Sequence, residues 1–169
     1  AADWYEHALI HNHDLEMLDP YRLPLSDNFY GWAKATYEHL GFLFASGTFG
    51  RKLEVVLVRI GAPREINLED FPGDPGRYKR DLGAYISPRD LTQLFTRAIE
   101  TPNIDNEHGI PWLIVYGISD NTRSFWSLTS ARQVLGYRPE DDSEIKYAND
   151  IQSFLTGEGA RGGGGRGGP

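Results

Sequence analysis

Leu53-Glu54-Val55-Val56-Leu57-Val58-Arg59-Ile60 is the stretch that decides the fold. It is nearly continuous in apolar residues and rich in β-branched ones. A strand with one wet face alternates apolar and polar residues, whereas a strand covered on both faces does not. The run therefore reads as a buried strand of a parallel sheet.

The neighbouring segments supply the layers such a sheet needs. Upstream, from Phe29 to about Phe49, the residues Tyr30, Ala33, Tyr37, Leu40 and Phe44 fall at three- and four-residue steps, which predicts an amphipathic helix. Ser26, Asp27 or Asn28 can cap its start. Residues 1–29 otherwise carry turn chemistry, with room for a short helix between Tyr5 and Leu18. Downstream, residues 61–78 hold three prolines and three glycines and read as a long loop, mobile without ligand from Gly61 to Lys79. Ser87 to Glu100 reads as a second helix, with Ser87 as N-cap, Pro88 at the first helical position, and Leu91, Leu94, Phe95 and Ala98 as its apolar stripe. Trp112 to Ile118 is a second buried strand. Ser127 to Leu135 is a helix closed by Gly136, and Asn149 to Leu155 is a last short helix. Helix, strand, helix, strand, helix is half of an α/β sandwich.

Composition narrows the classes. The chain has 169 residues, 40% hydrophobic and 24% charged, enough for one domain with a core. A net charge of −7 argues against nucleic acid and anionic membrane as partners of the body. The absence of cysteine excludes disulfides, thiolate catalysis and cysteine zinc sites, and suits a cytoplasmic protein. No apolar run approaches the ~20 residues of a membrane span, and no basic-then-apolar leader opens the chain. The chain starts at Ala1 and its one methionine is Met17, so it is expected to be processed or cut from a longer one. Gly157 to Pro169 is mostly glycine with two arginines. It cannot bury a core and is expected to be a disordered tail. Arg-Gly tracts can bind RNA, but two arginines favour the plain flexible tail. Because the tail's glycines do not follow a strand, they are not a phosphate loop.

The chemistry concentrates in Tyr30-Gly31-Trp32-Ala33-Lys34. Four residues is just over one helical turn, so Tyr30 and Lys34 share a face. A free phenol has a pKa near ~10, too high for a base at neutral pH, and a cation within about 4–6 Å favours the phenolate. Such a pair can move a proton to or from a hydroxyl or carbonyl while hydride moves elsewhere. Nine tyrosines and four lysines give about 0.2 such pairs by chance. Alone, the spacing also fits a surface pair.

Its context resembles the extended short-chain dehydrogenases, in which the Tyr-x-x-x-Lys helix is followed by a strand ending in Arg and a substrate loop. Four runs resemble the uronate dehydrogenase group in particular. They are YGWAK (Tyr30 to Lys34), VRIG (Val58 to Gly61), Arg80 to Ser87 leading into a helix, and Val115 to Glu144, which opens VYGISDN and closes VLGYRPEDDSE. The resemblance covers about residues 3–147. It implies the C-terminal half of a Rossmann-like doubly wound parallel sheet over residues 1–156, with the N-terminal nucleotide-binding half missing. It implies Tyr30 as general acid/base, Lys34 as its cationic partner and ribose ligand, and Ile60 and Gly61 beside the cofactor. Ala62 would lie near the substrate, and Arg80 would grip a sugar carboxylate through a guanidinium fork. Arg80 reads equally as a solvated loop arginine beside Arg77 and Lys79. Relatives often carry serine at the Ala62 position, and alanine cannot donate a hydrogen bond. Asp3-Trp4-Tyr5 matches the segment that follows the family's catalytic serine, which places that serine upstream of Ala1.

The implied activity is oxidation of a hexuronate at C1 with NAD as cofactor, NADP remaining an alternative. The implied partner is a small sugar acid, with no membrane, and a homo-oligomer stays open. A sugar epimerase or dehydratase fits less well, because little chain follows VRIG. A non-catalytic half-domain used for protein binding is the alternative from a different class. No metal site is expected: His11-Asn12-His13-Asp14 lacks a spaced third ligand and reads as a polar loop. Asp141-Asp142-Ser143-Glu144 reads as a solvated turn. Trp4, Trp32, Trp112 and Trp126 read as core or pocket packing.

Overall fold

The computed structural model describes Ile10, His11 and residues 16–156. The expected disordered tail, Asp3-Trp4-Tyr5, and all of the His11–Asp14 run except His11 lie outside the described residues.

Two parallel strands form the sheet. β1 (Val55–Ile60) pairs with β2 (Trp112–Gly117) in the register Val55↔Trp112 to Ile60↔Gly117. Parallel strands require a crossover. Here it carries a 3₁₀ turn (Leu68–Asp70), α2 (Pro75–Ala84) and α3 (Pro88–Glu100). α1 (Phe29–Ala45) precedes β1, while α4 (Thr129–Val134), α5 (Ser143–Lys146) and α6 (Ala148–Thr156) follow β2. The two faces of β1 are covered by different helices. Val55 and Leu57 lie against Gly41 of α1, and Val56 and Val58 pack on the main core with Leu91 and Ala98 of α3. These are the three layers of an α/β sandwich, present over two strands.

Local chemistry explains the helix ends. Asn28 caps α1, its side chain accepting from the Gly31 N–H. Ser87 caps α3, with Pro88 at the first helical turn as the sequence predicts. Gly136 closes the α4 region at φ +66°.

The structure departs from the sequence reading in four places. The stretch 61–78 is not a plain loop: Asp74 caps α2, accepting from the Arg77 N–H, with Pro75 in the first turn. It is also anchored by apolar residues. Ile66, Phe71, Tyr78, Leu82, Tyr85 and Tyr147 form a second core beneath it. Glu65 ties it further by accepting from Lys146 (2.7 Å) and from the Tyr147 hydroxyl (2.7 Å). β1, expected to be buried, is half-buried with Ile60 42% exposed. Only its β2 side carries a strand among the described residues. The acidic run 141–144 is a lock rather than a solvated turn. Asp141 accepts from Ser87 Oγ and Arg89, Asp142 accepts from the Thr122 and Glu144 N–H groups, and Glu144 takes Arg123 in a two-point ion pair. Trp126 is buried and Trp112 partly so, but Trp32 stands 63% exposed on α1.

Candidate active site

An open cleft of about 670 Å³ lies along the C-terminal part of β1. In open α/β sheets, ligands bind beyond the carboxyl ends of the strands. One wall is the turn-rich segment from Leu18 to Asn28, the floor is Leu57 to Ile60, and the far wall is α1 with Tyr116 and Trp126. The segment at Leu18 is fixed: Leu18 exchanges backbone hydrogen bonds with Phe125 and Ser127, both 2.9 Å. Trp126 stacks on Tyr116, with ring centroids 5.0 Å apart and planes 2° apart.

Tyr30, Lys34, Ile60 and Arg80 all line this one cleft. Tyr30 and Lys34 come from the first two turns of α1, and the Lys34 ammonium sits 5.3 Å from the Tyr30 ring centroid and 5.8 Å from that of Tyr37. The same helix face continues to Glu38, whose carboxylate grips the Arg59 guanidinium at 2.7 and 2.8 Å. Burial opposes the Arg59 charge, but the hydrogen bonds and charge of Glu38 outweigh it and raise its pKa above the usual arginine value. Arg59 also donates to the Tyr116 hydroxyl at 3.3 Å.

Arg80 is held by α2. Its Nη1 donates to Asp81 Oδ1 at 2.9 Å, and Arg64 Nη2 donates to Asp81 Oδ2 at 2.5 Å. Asp81 is itself buried, 2% exposed, so one desolvated carboxylate holds two arginines.

Gly61 and Ala62 are not among the residues lining the cleft. They prolong β1 and clamp it to the end of α2. The Ala62 N–H donates to the Ala84 carbonyl (2.6 Å), the Ile86 N–H donates to the Ala62 carbonyl (3.3 Å), and Ala62 bridges Tyr85. Glycine is required at position 61 by close approach, since a Cβ there would lie 2.0 Å from the Ala84 carbonyl oxygen.

The arrangement offers proton transfer at Tyr30, a cation for a ribose or phenolate at Lys34, and guanidinium donors at Arg80 for an anion. Among the described residues neither β1 nor β2 runs into a glycine-rich turn at a helix start, the arrangement that cradles a pyrophosphate. The sequence reading missed the Glu38–Arg59 pair and the Arg64–Asp81–Arg80 cluster. Glu38 was accessible, because it stands four residues after Lys34 and so shares its face. The contact between Arg64 and Asp81 joins residues seventeen apart through a helix that was not predicted.

No family model matches the sequence. Individual proteins do. The chain is 40% identical over 126 residues to an NAD-dependent glucose-6-phosphate dehydrogenase of Haloferax volcanii, covering 75% of this chain and 42% of that protein. It is 33% identical over 131 residues to a uronate dehydrogenase of Pseudomonas syringae pv. tomato, covering 77% and 40%. Among solved structures, uronate dehydrogenase from Agrobacterium tumefaciens superposes with a TM-score of 0.62 at 26% identity, over 82% of this chain and 44% of that one. The chain thus spans less than half the length of the curated relatives it matches. By sequence and by fold, it is a relative of the uronate dehydrogenase-like, NAD-dependent sugar dehydrogenases.

Proposed function

We propose that the chain is the substrate-holding and proton-transferring part of an NAD-dependent dehydrogenase that oxidises a hexuronate at C1 to the aldarolactone. One observation carries the reading: Tyr30, Lys34, Ile60 and Arg80, brought from α1, β1 and α2, open onto a single cleft at the strand ends. Tyr30 takes the proton of the C1 hydroxyl, and Lys34 binds the ribose and steadies the phenolate. Ile60 lies at the nicotinamide side, held there by Gly61 and Ala62, which clamp β1 to α2 without lining the cleft, and Arg80 holds the C6 carboxylate in two charge-assisted hydrogen bonds. NAD, when bound, accepts the hydride from C1.

A nucleotide-binding half belongs to this reading. In its support, the chain covers only 42% and 40% of two dehydrogenase relatives. The side of β1 away from β2 carries no strand among the described residues. α1 exposes Phe29, Trp32, Leu40 and Leu43. A helix that is apolar on most sides is built to be enclosed.

The name of the Haloferax volcanii relative favours a neighbouring reading, a hexose 6-phosphate in place of the hexuronate. Both place an anion at C6, and both assign it to Arg80.

The test is Arg80→Ala in the NAD-binding holoenzyme. A charge-assisted grip made equally in ground and transition states raises KM by about 10–100-fold with a smaller effect on kcat. The expected result is loss of the preference for the sugar anion over the matching neutral aldose. Equal weakening for both sugars sinks the assignment.

A further inference from the structure

We infer that Tyr37 is a positioning residue of the same site. With Tyr30 it brackets the Lys34 ammonium between two aromatic rings, so that the charge is held in the cleft while its N–H groups stay available to the ribose of the dinucleotide. The inference rests on the reading of Lys34 as the ribose ligand.

The three residues stand at steps of four and three on α1, and all three line the cleft. Seven residues is close to two helical turns, so the two phenols lie one above the other with the lysine between them. The Lys34 Nζ is 5.3 Å from the centroid of the Tyr30 ring and 5.8 Å from that of the Tyr37 ring. Both distances fall within the ~6 Å over which the quadrupole of a ring attracts a cation. Tyr37 is 58% exposed, so its ring belongs to the cleft wall and not to the core.

The usual partner of a helical lysine is a carboxylate three or four residues away. Glu38 stands at that spacing, but both of its oxygens are taken by Arg59, at 2.7 and 2.8 Å. Among the described residues, the Lys34 ammonium meets the two rings and no carboxylate.

That choice of partner decides what Lys34 can do. A carboxylate would occupy N–H donors and offset the charge. An ammonium has three donors and no acceptor, and a ring attracts its charge without taking a conventional hydrogen bond. A lysine stem is flexible and loses rotamer freedom when its end is fixed. Two rings that restrict the stem beforehand reduce the loss on binding. Lys34 is thereby preorganised with its donors unspent.

The test joins a spectrum of the 169-residue chain to the kinetics of the NAD-binding holoenzyme. Substitutions at so exposed a position should leave the fold intact. Protons held over an aromatic ring resonate upfield. The Lys34 CεH2 protons should therefore be shifted upfield in the wild-type chain. Part of that shift should vanish in Tyr37→Leu and return in Tyr37→Phe. In the holoenzyme, Tyr37→Leu should raise KM for NAD about two- to fivefold and leave KM for the sugar in place. Tyr37→Phe should recover most of the loss, because the ring and not the hydroxyl attracts the ammonium.

Three results overturn the inference while Lys34→Ala still raises KM for NAD, and they leave the reading of Lys34 in place. One is a Lys34 CεH2 shift in Tyr37→Leu equal to that of the wild type. The second is an equal effect of Tyr37→Leu and Tyr37→Phe on KM for NAD, as a contact through the hydroxyl would give. The third is a rise in KM for the sugar as large as that for NAD, as a general distortion of the cleft would give. If Lys34→Ala leaves KM for NAD unchanged, the ribose assignment fails and this inference fails with it.

Discussion

Glu38 and Arg59 meet through two parallel hydrogen bonds of 2.7 and 2.8 Å, and this pair ties the helix bearing Tyr30 and Lys34 to the first strand. The Glu38 side chain is 12% exposed and that of Arg59 22%. The Trp112 indole adds a third tie, donating to the Glu38 carbonyl at 3.2 Å. With Glu38 one turn beyond Lys34 on the same face, the rotation of α1 about its axis is set where the cleft needs it.

Removing one partner of such a pair leaves the other charge half-buried without a counter-charge. Glu38→Gln should therefore destabilise the fold by about 3 kcal/mol. A urea midpoint measurement reads this directly. A loss within ~0.5 kcal/mol, the range of ordinary surface substitutions, would show that the pair does not hold α1 in place.

Gly61→Ala tests the clamp between β1 and α2. The added methyl would meet the Ala84 carbonyl oxygen at 2.0 Å and Ile118 Cγ2 at 2.8 Å. Ala84 is backbone at a helix end, so it cannot turn aside as a side chain would. Overpacking of this kind costs about 1–3 kcal/mol or more. Gly73→Ala is the control: it has open space around it, and its positive φ of +71° makes it cost only the strain of that backbone angle. If the thermal midpoint of Gly61→Ala falls no further than that of Gly73→Ala, the close approach is not real.

Strand and helix identity were legible where one signal dominated. The run Leu53 to Ile60 gave β1, and Ser87-Pro88 gave the start of α3, because apolar continuity and cap chemistry are local. α2 was hidden by Pro75 and Gly76, which read as turn signals. Pro75 instead fills the first helical turn, and Gly83 is needed because a Cβ there would lie 2.3 Å from the Arg123 carbonyl. In the cleft, Tyr30 and Lys34 were visible from spacing alone. Arg80 came from resemblance, and its neighbours Asp81 and Arg64 came from neither. Long-range ion pairs depend on the tertiary arrangement, which no periodicity records. The half-buried state of β1 was equally illegible, since its residues are those of a strand enclosed on both edges.

Alkaline pH should weaken the second core. Burial pushes the phenols of Tyr78 and Tyr147 up to about 12, and for Tyr147 the hydrogen bond to Glu65 adds to this. The unfolded value is near ~10. A folded pKa above the unfolded one contributes stability that is fully present below about pH 10 and lost as pH rises toward 12. Unfolding free energy should therefore fall over that window, and Tyr147→Phe should flatten the fall. An unchanged alkaline slope in Tyr147→Phe would show that its hydroxyl ionises as freely folded as unfolded.

The most direct test of the proposed chemistry is Tyr30→Phe in the NAD-binding holoenzyme. The substitution removes one hydroxyl from a side chain that is 75% exposed, so folding should be little affected. Arg80 and the rest of the cleft remain, so the sugar should still bind and KM should change little. The proton-transfer group is gone, so kcat should fall by about 10²–10⁴. Lys34→Ala should behave differently, because the proposed reading assigns the ammonium, 5.3 Å from the Tyr30 ring, to both the phenol and the ribose. It should lower kcat and also raise KM for NAD. If Tyr30→Phe keeps its kcat while Lys34→Ala loses NAD affinity, the helix binds cofactor but the proton leaves by another route. If neither variant changes either constant, Tyr30-Gly31-Trp32-Ala33-Lys34 is a surface pair on a helix, and the dehydrogenase reading loses its catalytic centre.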